Sequence, residues 1–130
     1  MKIGVSGLAV GNQAGLGRLA RICIIALATM APQQCQLHVY LRRRADLELL
    51  ESECSNTSAG SLDRLHLHHP AVGGLNRLIL EELLLPRVFG KLELDGYLGL
   101  DFTLPPAPLA RTEAVMLPDL LPFTRPETLS

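Results

Sequence analysis

A short strand, a glycine-rich loop and a long apolar helix follow one another at the start of this chain, and that succession limits what it can fold into. Met1-Lys-Ile-Gly-Val-Ser-Gly7 reads as a strand, Leu8 to Gln13 as a loop, and Ala14-Gly-Leu-Gly-Arg18 as the opening of a helix that runs from Gly15 to Met30. A strand that ends in such a loop and enters a helix N-terminus is a device for holding anions. Glycine lets the backbone approach closely, and the free N–H groups of the first turn point outward. Arg18 adds a fixed positive charge beside them.

The rest of the chain reads as the layer that holds this loop. In the first helix Leu16, Leu19, Ala20, Cys23, Ile24 and Leu27 recur at helical spacing, and Ala31-Pro32 stops it. Gln36 to Leu41 is a second strand, followed by Arg42-Arg43-Arg44. Asp46 to Glu53 reads as a short helix, Ser55 to Ser61 as a polar loop, and Asp63 to His69 as a third strand. Leu75 to Phe89 is a strong helical pattern. Pro86 within it leaves Glu82 without a donor, so a kink or break is expected there. Asp95 to Leu100 and Thr112 to Leu117 read as the fourth and fifth strands, with a proline-rich loop, Asp101 to Pro108, between them. Strands alternating with helices predict an α/β fold: a Rossmann-like parallel sheet of about five strands, with right-handed crossovers and flanking helices.

Size and composition bound the function. The 130 residues make one domain with a modest core. A formal charge of −1 gives no general affinity for nucleic acid or membranes. Mean hydropathy of +0.24 points to apolar surface meant for a partner domain. The longest apolar run, Ile22 to Ala28, is too short to cross a bilayer, and the N-terminus lacks a secretory pattern. The three cysteines, Cys23, Cys35 and Cys54, form no short paired spacing, which suits a reducing cytoplasm.

Several chemistries can be weighed on residues alone. The Lys-Ser/Thr pair of a Walker loop is missing. Gly15-x-Gly17-x-x-Ala20 loosely matches a dinucleotide fingerprint, and the arginine triplet suggests a 2′-phosphate site. That fingerprint should follow its strand at once, whereas Leu8 to Ala14 intervenes. A longer loop touching the diphosphate or sugar of a ligand outside the strand ends, and a loop that only turns the chain, stand side by side. His66 and His68 share a strand face and, with His69, raise a metal site, but no Cys or carboxylate is placed with them. Arg42 to Arg44 read as a solvated strand end or as a contact for a phosphate or acidic lipid. Adjacent Glu81 and Glu82 point apart on a helix, which argues against an acid/base pair. Asp101 and Asp119 follow strand ends, where α/β sheets keep ligand-facing side chains and also turn residues.

Three separated stretches, taken in order, resemble one family. They are Gly15-Leu-Gly-Arg18 after the Lys-Ile-Gly-Val strand; Arg77-Leu-Ile-Leu-Glu-Glu-Leu-Leu-Leu-Pro86; and Asp95-Gly-Tyr-Leu-Gly-Leu-Asp-Phe-Thr-Leu-Pro105 with Val115-Met-Leu-Pro-Asp-Leu-Leu-Pro-Phe123. Together they are similar to the N-terminal domain of group 1 (family 4) glycosyltransferases of the GT-B fold. The resemblance implies retaining transfer of a sugar from a nucleotide-sugar donor to an acceptor hydroxyl, across a cleft between two Rossmann-like domains. It implies that Gly15, Gly17 and Arg18 approach the donor phosphates and that Asp119 carries a catalytic role on the acceptor side. Pro118 stands where the family often has His before that Asp, and Leu98 where a His often ends the fourth strand. The paired glutamates of the family belong to the C-terminal domain, which is not in this sequence. The expectation is therefore a truncated acceptor-side half, inactive alone and cytoplasmic, with no cofactor, metal or nucleic-acid partner. A glycan or lipid-linked acceptor, peripheral contact with the inner membrane face and self-association complete it. The alternative is a standalone nucleotide-binding or protein-interaction module.

Overall fold

A computed structural model describes residues 1–55, 65–71, 73–100 and 104–116. The chain is α/β, with one five-stranded sheet in the order β3-β2-β1-β4-β5. The strands are β1 (Lys2–Gly7), β2 (Gln36–Leu41), β3 (Leu65–His68), β4 (Leu94–Gly99) and β5 (Ala110–Val115), and every pairing is parallel. This is the Rossmann-like arrangement that the alternation of elements predicts. Two helices, α1 (Gly15–Met30) and α2 (Arg44–Ser55), serve one face. The other carries α3 (Arg77–Ile79), a π-helical stretch (Leu80–Leu84) and α4 (Leu85–Gly90).

Each face has its own core. On the α1 side Val5, Ala20, Ile24, Leu37, Val39, Leu50 and Leu65 pack together; on the other Tyr40, Leu80, Leu85, Phe89, Leu94 and Tyr97 do. β2 is buried from Leu37 to Leu41, so its apparently polar residues, His38 and Tyr40, also point into a core. That is the behaviour of a parallel strand covered on both sides. Gly4 of β1 lies against Phe89 and Leu94, and a Cβ there would press into both side chains. The missing side chain on the central strand lets Phe89 reach the sheet.

The proline in the long helical pattern is accommodated rather than fatal. Pro86 takes a position in the first turn of α4, where its lost N–H is harmless. The preceding turn widens, so that the Leu85 N–H donates to the Leu80 carbonyl, five residues back. The expected break is thus a change of helical pitch. Other boundaries shift by a few residues: β5 starts at Ala110 instead of Thr112, α2 at Arg44 instead of Asp46. The opposite end of α1 behaves as the Ala31-Pro32 pair requires, with Ala31 extended (φ −65°, ψ 143°) and its N–H bonded to Leu27 O.

On the α1-side face, β4 and β5 keep an apolar cleft of about 520 Å³, with Ile3, Leu27, Met30, Leu98 and Ala114 among its walls. No helix of the described residues is long and apolar enough to cross a membrane.

Phe89 is fully buried and meets Tyr40, Tyr97 and His68 edge to face, with centroids 5.9–6.2 Å apart. Phe89→Ala should therefore cost about 3–5 kcal/mol, seen as a lower urea midpoint at unchanged m-value. A loss below about 1 kcal/mol would contradict this packing.

Candidate functional site

The carboxyl ends of β1 and β2 build a polar cleft that involves the glycine loop. β1 closes on Gly7, which is flush against Leu41, Val39 and the Tyr40 carbonyl of β2. The chain then turns twice: Val10 N–H donates to Gly7 O (3.1 Å) and Asn12 N–H to Ala9 O (2.9 Å). Asn12 Oδ1 accepts from Ala14 N–H at 2.8 Å, an Asx turn that leads into α1. From α1, Arg21 reaches back to Val10 O at 2.7 Å while its Nε pairs with Glu53 of α2 at 3.3 Å. One guanidinium thus ties the loop to two helices.

Gly17 sits where α1 crosses the loop. It is buried, and a Cβ at this position would run into the Asn12 carbonyl. Gly15 is exposed with nothing near a would-be Cβ. No side chain caps α1 and no acidic residue occupies its first turn. The Gly17 and Arg18 N–H groups turn back to Ala14 O at 3.1 and 3.4 Å. Among the described residues, the Gly15 and Leu16 N–H groups take no acceptor.

The second wall comes from the end of β2. Arg43 is the residue before α2 and Asp46 lies in its first turn. The Asp46 carboxylate has no exposed surface; its Oδ2 accepts from the Arg43 backbone N–H at 3.2 Å and its Oδ1 from Arg43 Nη2 at 3.1 Å. The first contact is the returning half of a capping box, made here by Asp rather than Glu or Gln. The second ties down the guanidinium. Gly11 faces this pair so closely that a Cβ would collide with both partners. Between the walls lies a cleft of about 460 Å³, bordered by Gly11, Asn12 and Leu16, by Arg42, Arg43 and Asp46, and by Gly74 and Leu75. Gly74 adopts a left-handed φ of 76°, which favours glycine.

The expected site residues fall in three groups. Arg42 and Arg43 enter the cleft, whereas Arg44 begins α2. Gly15, Gly17 and Arg18 do not line the cleft, although Leu16 between the two glycines does. Arg18 is exposed, and Gly17 is engaged in packing against the loop. Asp119, with Asp101 and Pro118, lies outside the described residues. Leu98 is half-buried in β4, and Glu81 and Glu82 fall in the π-helical stretch. Asp46 and Gly11 were not singled out as cleft residues by sequence. The available signal was the i, i+3 spacing of Arg43 and Asp46 at a strand-to-helix junction.

The histidines meet on the opposite face of the sheet. His66 and His68 of β3 are joined by His38 of β2: His66 stacks on His38 at 4.6 Å, and His38 Nδ1 and His68 Nε2 lie 3.1 Å apart, one donating to the other. His38 is 5% exposed and, among the described residues, its Nε2 has no partner. Burial first, then the neighbouring His66 and His68 and Lys2, push its pKa down to about 4. Burial and His66 lower that of His68. Among the described residues, no three His, Cys, Asp or Glu side chains are arranged to hold a metal ion.

Comparison of the chain with protein-family models, with curated proteins and with solved structures finds no match in any of the three.

Two predictions follow from this geometry. Gly17→Ala should destabilise the fold by about 1–3 kcal/mol through overpacking, while Gly15→Ala should be neutral or slightly stabilising, as read from urea midpoints. Equal effects would contradict the assignment of Gly17 to packing. Because His38 is held neutral when folded, the unfolded chain binds more protons as pH falls below about 6.5. Stability is then full above that pH and declines towards pH 4, by about 3 kcal/mol for this group. His38→Gln should flatten that decline in unfolding curves at pH 7 and pH 4.5; an unchanged slope would refute the cause.

Proposed function

We propose that this chain is the acceptor-side, Rossmann-like half of a retaining sugar transferase, whose cleft at the carboxyl ends of β1 and β2 is a ligand site completed by a second domain. The observation that carries the reading is the cleft itself. It lies outside the carboxyl ends of parallel strands, where such sheets bind ligands, and the glycine loop and two arginines wall it. The three stretches that resemble group 1 glycosyltransferases, Arg18 and Asp119 among their residues, support the reaction class.

The chain's own groups would divide the work. The unpartnered amides of Gly15 and Leu16 at the N-terminus of α1, with Arg18 nearby, suit the charge that builds on a departing diphosphate. In the transfer, the bond from the anomeric carbon to the diphosphate oxygen breaks and a bond to the acceptor oxygen forms. The acceptor proton leaves with the diphosphate. Asp119 is the proposed acceptor-side group. A second reading, a standalone nucleotide-binding module, is favoured by the place of Arg42 and Arg43 just past β2, where a nucleotide phosphate would lie.

Ligand titration followed by NMR separates the two. The transferase reading expects UDP-glucose or GDP-mannose to bind weakly, with Arg18→Gln weakening binding about tenfold, and no sugar released or transferred by the chain alone. Binding of NADPH without either nucleotide sugar would favour the second reading. Robust turnover by this chain would refute the half-enzyme.

A further inference from the structure

The charged side chains of the cleft offer more free donors than free acceptors. Its one carboxylate, Asp46, already accepts twice from Arg43 and is fully buried. Asn12 Oδ1 accepts from Ala14 N–H. In the adjoining loop Gly7 O, Ala9 O and Val10 O accept from Val10, Asn12 and Arg21. Among the charged side chains of the lining, what remains free are the arginine N–H groups. Asp46 engages one nitrogen of the Arg43 fork, and that side chain is still 52% exposed. Arg42 is exposed on the cleft wall. The charged lining, Arg42, Arg43 and Asp46, therefore leaves one net positive charge, and the first turn of α1 reaches the cleft at Leu16.

A neutral sugar is recognised by acceptors as much as by donors, because each hydroxyl donates once. A phosphate monoester dianion only accepts, and it matches the planar fork of arginine. We propose that the cleft selects a phosphate monoester, its phosphate set on Arg42 and on the edge of Arg43 that Asp46 leaves free. The body of the ligand lies along Gly74, where nothing stands within reach of a would-be Cβ. Asp46 acts as a positioning residue: by holding Arg43 before the ligand arrives, it reduces the ordering that binding requires. The inference rests on the cleft being a ligand site, as proposed above, and adds the ligand's class.

The test is calorimetric titration of the 130-residue chain with α-D-glucose 1-phosphate, inorganic phosphate and glucose. Co-sedimentation with phosphatidylcholine vesicles, with and without phosphatidic acid, forms a second arm. Glucose 1-phosphate and phosphate should bind and glucose should not. Arg42→Gln should weaken the ester at least tenfold while leaving the urea midpoint unchanged, and Arg42→Lys should restore part of the affinity. Vesicle binding that requires phosphatidic acid and is lost in Arg42→Gln would support the same chemistry with a lipid headgroup as its source. Glucose binding as tightly as its phosphate would overturn the inference and leave a sugar-handling cleft intact, as would an Arg42-independent affinity for the ester. Ester binding without any nucleotide-sugar binding would uphold the inference and count against the transferase.

Discussion

A carboxylate with no access to water must be neutralised where it stands, and Asp46 is neutralised by the residue at the junction of β2 and α2. The rest of the cleft depends on this pair. Its Oδ2 closes the N-terminus of α2 through the Arg43 amide, and its Oδ1 draws the Arg43 guanidinium along the wall. A side chain at Gly11 would then displace the pair, because the β1–α1 loop passes within contact of both partners. One interaction therefore fixes a helix start, the direction of a cation and the path of the neighbouring loop. Replacing Arg43 alone would leave a buried carboxylate without its cation, which is the costly way to lose an ion pair.

The fold was largely legible because its signals were local. α1 and β2 were read with their observed limits: the first is apolar at helical spacing and ended by a proline, the second alternates between two arginine- and glutamine-marked ends. Pro86 announced a disruption, but not that a wider turn would absorb it. That outcome depends on Leu80, Leu85 and Phe89 staying on the Tyr40 and Tyr97 face, a long-range condition.

The site was legible only in part, for the same reason. Glycine spacing drew attention to Gly15 and Gly17 together, yet their roles diverge. Gly17 is consumed by contact with the Asn12 carbonyl, and no spacing rule places that carbonyl. Arginines 42 to 44 looked equivalent in sequence; the start of α2 separates them, giving Arg43 a buried partner and leaving Arg42 exposed. His38 was passed over because alternation marked it as outward. The covering of β2 on both faces turned it into a buried member of a histidine group.

The two helices that meet the rim differ in how their N-termini are satisfied. α2 carries Asp46 in its first turn, which accepts from the Arg43 amide before the helix and sets a negative charge against the dipole. α1 has neither a capping side chain nor an acid there, and its first glycine is open to solvent. An uncapped start forgoes about 1 kcal/mol that Ser, Asp or Asn at position 14 would have supplied. The loop at that start is meanwhile held by Arg21, the Asx turn and the Gly17 contact. A braced loop that leaves donors unanswered beside a cleft walled by two arginines is the setting the proposed anion would use. The N-terminus of α1 and the arginines of the cleft thus both favour the proposed ligand chemistry.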